Sequence, residues 1–206
     1  MADMDIRKEI LAATVLVFNK KGIKFTMDDV AREAGMSKKT IYTVFSDKQE
    51  LVYDMVDYCF DSIKESEERV MKNGGLSTLE KIQAILGVLP DGYKEIDFAQ
   101  LYILRDKYPR IYTRVEERLE SGWDTTIELL KRGMDEGVIK PVDTAIVKVM
   151  FEATLEQFFR RDVLVKNGIS YSEALAEVVD IICNGIKKIN VGGLTWTNRR
   201  LFLATR

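Results

Sequence analysis

Apolar side chains recur at steps of three and four along almost all of this chain, and no stretch of convincing length alternates apolar with polar residues. That pattern admits helices and excludes a sheet. Ile6, Ile10, Thr14, Val17 and Phe18 form a first stripe, closed by Lys20-Lys21-Gly22. A longer one starts at Ser46-Asp47, carries Leu51, Val52, Met55, Val56, Cys59, Phe60 and Ile63, and reaches about Val70 before Asn73-Gly74-Gly75. Leu79, Ile82, Ile85, Leu86 and Leu89 make another, broken by Pro90-Asp91-Gly92. Further helices are expected over Phe98 to Lys107, Ile111 to Glu136, Thr144 to Lys166 and Ser172 to Ile189, with every proline between elements. The expected fold is all-α, with about nine helices.

The segment from Thr26 to Lys48 has a finer pattern. Val30, Ala31 and Ala34 make one apolar face of a short helix, and Gly35 stands where the chain must reverse. Thr26 with Asp29 resembles a capping box, and Ser37 can cap the helix that follows. In that second helix Ile41 and Phe45 face inward, which turns Lys38, Lys39, Thr40, Tyr42 and Thr43 outward. Cations and hydroxyls suit phosphates and base edges, so these residues, with Ser37 and Lys48, are candidates for reading DNA. Spacing alone also fits a surface helical hairpin with solvated lysines. Charge does not decide, because residues 1–50 carry a net +1 and the remainder −3. Binding would have to come from local placement.

The run from Phe25 to Tyr42, followed by Phe45, Lys48, Glu50 and Leu51, resembles the DNA-binding domain of the tetracycline-repressor (TetR) family over roughly residues 6–53. The resemblance implies a homodimer that binds a palindromic operator in double-stranded DNA and lets go when a small molecule occupies its C-terminal domain. By it, Thr26, Lys38, Lys39, Thr40, Tyr42 and Lys48 lie at the DNA surface, with Tyr42 and Lys48 on the backbone. Lys39 stands where the family often has glycine, and Thr43-Val44 where it often has an aromatic followed by an aromatic or histidine. Operator preference should differ there. The domain reading is a helix-turn-helix domain over 1–50, a ligand-binding and dimerisation domain over 51–190, and a tail over 191–206.

Two faces of the later helices are apolar, as Phe151, Leu155, Phe158 and Phe159 show beside Ile146, Val149 and Met150. A helix apolar on two sides must bury two sides, and a second copy supplies the cover through a four-helix interface, ordinary monomer core being the alternative for these aromatics. For the effector, Phe98, Tyr102, Arg105, Trp123, Ile127, Met150 and Phe151 are the candidate lining of a mostly apolar pocket. Core packing is the competing role for each.

The absence of histidine excludes His-based triads, Glu-x-x-His di-metal bundles and His-ligated zinc. Neither Gly74-Gly75 nor Gly192-Gly193 has the flanks of a phosphate loop, and carboxylate pairs such as Glu152 with Glu156 fit solvated faces. No enzyme, cofactor or metal is expected. A helical adaptor that binds protein would leave Lys38, Lys39, Thr40, Tyr42 and Lys48 without a role. Cys59 and Cys183 are expected as buried thiols, and a charged N-terminus without a membrane-length apolar run is expected of a cytoplasmic protein.

Overall fold

The computed structural model describes residues 2–89, 105 and 107–188. They are helical as expected, and among the described residues there is no strand. The N-terminal helix-turn-helix domain comprises α1 (Ala2–Lys21), a single 3-10 turn (Gly22–Lys24), α2 (Met27–Glu33) and α3 (Lys38–Val44), and it runs on into α4 (Lys48–Lys72). Behind it come α5 (Thr78–Leu86), α6 (Pro109–Glu120), α7 (Asp124–Asp135), α8 (Thr144–Arg160), α9 (Val163–Asn167) and α10 (Tyr171–Ile186). The helix expected over Phe98 to Lys107 and the tail over 191–206 lie outside the described residues, apart from Arg105 and Lys107.

The first stripe is the spine of the N-terminal domain. Ile10, Val30, Ile41, Phe45 and Leu51 are all fully buried, and Phe25 closes the same core. Each such side chain contributes about 1.5–3 kcal/mol through burial. Thr14, a polar member of the stripe, is fully buried too, and its hydroxyl donates to the Ile10 carbonyl at 2.7 Å. One helical turn therefore satisfies it.

α4 packs against α1, α5 and α6, while α5 bridges to α7 and α10. Three N-termini carry reciprocal capping boxes: Thr26 with Asp29, Ser77 with Glu80, and Ser170 with Glu173. Lys140 N–H donates to the Ile186 carbonyl and Lys188 N–H to the Val138 carbonyl, tying the α7–α8 connection to the end of α10.

Two expected helices are divided. The span from Ile111 to Glu136 breaks at Ser121-Gly122, where Gly122 takes φ +76°, a conformation that costs any L side chain. Val115 and Leu119 before the break and Trp123 after it still face one core, so the stripe continues although the helix does not. The span from Thr144 to Lys166 breaks at Arg161, whose backbone is extended. α9 is then a separate short helix.

Cys59 is half-buried and Cys183 buried, and neither is in a disulfide. Burial, with Asp180 nearby, pushes the Cys183 thiol up to about 11. Among the described residues no helix is long and apolar enough to cross a membrane.

Candidate nucleic-acid interface and effector cavity

The reading helix is placed from both ends. At the start of α2, Asp29 N–H donates to Thr26 Oγ1 at 3.2 Å and Thr26 N–H returns a bond to the Asp29 carboxylate at 2.9 Å. The Lys21 ammonium, 2.6 Å from that carboxylate, is the largest of several contacts holding its pKa well below the usual range. Gly35 at φ +64° then reverses the chain, with Met36 N–H donating to the Ala31 carbonyl at 2.9 Å. Ser37 caps α3 by accepting from Thr40 N–H at 3.0 Å. Buried Ile41 and Phe45 fix the inner face, so the outer face is set by helical geometry.

On that outer face Lys38, Lys39, Tyr42 and Thr43 are exposed and Thr40 is half-exposed. Their states differ. Lys38 pairs with Asp28 at 2.9 Å, a hydrogen bond that raises its pKa. Thr43 donates to the Thr40 carbonyl at 2.7 Å, and the Ser37 and Thr40 hydroxyls share a bond of 2.8 Å. Lys39 makes no ion pair among the described residues.

Lys48 is turned toward the protein in this structure. Its ammonium donates to the Ile23 and Phe25 carbonyls and lies 4.3 Å from the centre of the Phe25 ring. Burial lowers its pKa. Arg7, which no local pattern marks, fastens the other side: it pairs with Asp54 of α4, approaches the Val44 carbonyl at 3.5 Å, and stacks 4.5 Å from the Phe45 ring centre. The C-terminal end of α3 is thus clamped to α1 and α4.

A mostly apolar cavity of about 160 Å³ lies between α4, α5, α6, α8 and α10, reaching α1 at Val15 and Phe18. Of the expected lining, Trp123 and Phe151 are there, ring centres 5.7 Å apart in an edge-to-face pair. Ile127 is half-buried but not in the wall, and Arg105 is exposed. Met150 is 56% exposed, because Val147, Phe151, Leu155 and Phe159 take the inward face of α8 and leave Ile146, Val149 and Met150 outside. Phe98 and Tyr102 lie outside the described residues.

The wall also holds charges that apolar periodicity could not reveal: Lys64, Glu67, Arg118 and Glu152. Lys64 bonds Glu67 at 2.8 Å and the Gly122 carbonyl at 2.6 Å. Arg118 holds Asp61 at 2.7 Å and Asp57 at 3.2 Å, beside Arg114 on Asp57 at 2.8 Å. These arginines fasten α6 to α4. Among the described residues no group of acidic or sulfur side chains is arranged to hold a metal ion.

Residues 10–55 match the family described as bacterial regulatory proteins, tetR family. Over those residues the chain carries a TetR-type DNA-binding domain. Over 179 residues it is 27% identical to the helix-turn-helix transcriptional regulator YvaF of Bacillus subtilis, covering 87% of this chain and 94% of that one. It is 22% identical to the transcriptional repressor KstR2 of Mycobacterium tuberculosis over 143 residues, 66% of this chain and 70% of that one. A TetR regulator structure from Haloarcula marismortui superposes with a TM-score of 0.67 at 18% identity, covering 90% and 100% of the two chains. The matched residues 10–55 include all of α2 and α3, and so Lys38 to Thr43. Lys39 and Thr43 fall on that outer face, and half-buried Val44 beside it.

Proposed function

We propose that this chain is a TetR-family repressor that binds a palindromic operator as a homodimer and is released by a small, mostly apolar effector. The observation that carries the DNA-binding part is α3 itself, whose Lys38, Lys39, Tyr42 and Thr43 are exposed above a fully buried Ile41 and Phe45. Such a helix can lie in a major groove with its outer side chains on base edges and phosphates. Ser37, Thr40 and Thr26 complete the reading surface, with Lys48 beside it. Residues 1–50 serve as the reading head and 51–190 as the effector and dimer domain.

The dimer reading is supported by Ile146, Val149 and Met150 on α8 and Ile181 on α10, each more than half exposed. Pairing those faces across a two-fold axis removes them from water and sets two copies of α3 about 34–36 Å apart for successive grooves. The effector reading is supported by the cavity, whose wall includes Met55, Val56 and Lys64 of α4. Only three residues separate the end of α3 from the start of α4. An effector that fits the cavity better when α4 is displaced shifts the spacing of the heads, and about 1–3 kcal/mol of such coupling weakens operator binding roughly 5- to 150-fold.

Selection of bound duplexes from a random pool tests the reading. The expected result is a palindrome with half-sites about one helical turn apart. Equal binding to every duplex would overturn it.

A further inference from the structure

Glu152 stands where the apolar cavity meets a second one. It lines both, and the second, of about 150 Å³, is walled by Glu116, Glu120 and Glu156 with Leu119, Val149 and Ala153. Its Oε1 is buried and, among the described residues, meets no donor in good hydrogen-bonding geometry. Lys148 stands 3.5 Å from that oxygen as an ion pair, but the same ammonium donates to the Glu120 carbonyl at 3.1 Å. The Trp123 indole N–H, in the same wall, donates to the Leu119 carbonyl at 3.0 Å and has only a minor lowering effect on the Glu152 carboxyl. A buried carboxylate oxygen without a donor is costly, and a ligand that brings one recovers the cost.

Charge narrows the donor. Arg160 bridges Glu116 and Glu156 at 3.6 and 3.1 Å, leaving Glu120 and Glu152 with Lys148 between them. Burial raises the carboxyls of Glu116 and Glu152, against the lowering effect of Arg160 on the first and Lys148 on the second. The cations that do face the cavity are engaged, Lys64 by Glu67 and Gly122, Arg118 by Asp57 and Asp61. An anionic ligand would have to break those pairs and strand Glu67, which is 8% exposed. A cation shares Glu152 with Lys148, 3.5 Å from the same oxygen, and strands no buried carboxylate.

We propose that the cavity takes a compact lipophilic amine whose protonated nitrogen donates to Glu152 Oε1 while its apolar body lies against Trp123, Phe151 and Phe60. This rests on the reading of the cavity as the effector site. Size agrees with a ring-sized body, since an apolar cavity of about 150 Å³ accepts benzene.

The test is emission of Trp123, in a Trp196→Phe background that leaves it the sole indole, titrated with 4-ethylbenzylamine, 4-ethylbenzyl alcohol and 4-ethylbenzoate. The amine is expected to bind roughly tenfold or more tighter than the benzoate, and Glu152→Gln to remove that advantage while the alcohol still binds. Benzoate binding as tightly as the amine, no binding of the amine, or an unchanged ranking in Glu152→Gln would each overturn the proposal. The ranking on the Glu152-containing protein stands by itself if the variant does not fold. Operator binding is measured separately: amine binding without operator release leaves the site assignment intact and removes the effector reading. Release by benzoate and not by the amine does the reverse.

Discussion

Lys39 is the lysine of α3 that surrenders no ion pair among the described residues when a phosphate arrives, whereas Lys38 must first leave Asp28. Lys39→Ala is therefore expected to weaken operator binding more than Lys38→Ala, by about tenfold, and to reduce the salt slope by about one. Anisotropy titrations over a salt series measure both, and equal losses in the two variants would contradict the argument. Buried Ile41 and Phe45, and the caps at Thr26 and Ser37, were legible in sequence because each is decided within four residues. The turning of Lys48 was not, since its partner carbonyls, Ile23 and Phe25, come from another turn of the chain. The capping carboxylates make a second prediction. Asp29, Glu80 and Glu173 all have pKa values below their ordinary ones, through Lys21 and the cap hydrogen bonds of Thr26 in the first and through Ser77 and Ser170 in the others. A depressed carboxyl stabilises the fold above its unfolded pKa, about 4, and that contribution is lost as pH falls toward the folded value. Urea midpoints should fall as pH drops from about 5 to 3, and less steeply in Asp29→Asn, whose midpoint at pH 7 is already lower.

At the level of elements, periodicity located helices better than it located their ends. It ran through Ser121-Gly122 because α6 and α7 show their apolar faces to the same core, so only the positive φ of Gly122 records the break. Gly122→Ala is expected to cost about 1–2 kcal/mol in chemical denaturation, the usual cost of a left-handed L residue. An added Cβ would also meet Lys64 Cε at 2.6 Å, but that is the far end of a flexible side chain. Backbone strain should dominate. The arginines of α6 were similarly invisible, since Arg114 and Arg118 reach Asp57 and Asp61 across about 57 residues of sequence.

For the whole molecule, the outward face of α8 decides the assembly. Met150→Glu with Ile146→Glu, at positions 56% and 58% exposed in the single chain, should leave the fold intact and convert the proposed dimer to a monomer in sedimentation. An unchanged mass would place the interface elsewhere. Sequence reasoning put Met150 in the pocket because an amphipathic pattern with two apolar faces does not say which is inward. Only packing against α6, α7 and α10 does so. Trp123 and Phe151 were found because large aromatics usually mark cavity walls, while Glu67 and Glu152 were missed because buried carboxylates carry no periodic signature.

α4 contains neither glycine nor proline from Lys48 to Lys72. Lys48, at one end, holds the loop before the reading pair, and Lys64, some 24 Å along at the usual rise per residue, holds the cavity wall. A rod without a weak point cannot absorb a push by bending locally. In a switch built this way, a tilt of about 5° imposed at the cavity becomes a movement of roughly 2 Å at the head, by simple leverage over that length. Any glycine introduced between those two lysines would act as a leak, letting the cavity fill while the head stays where it was.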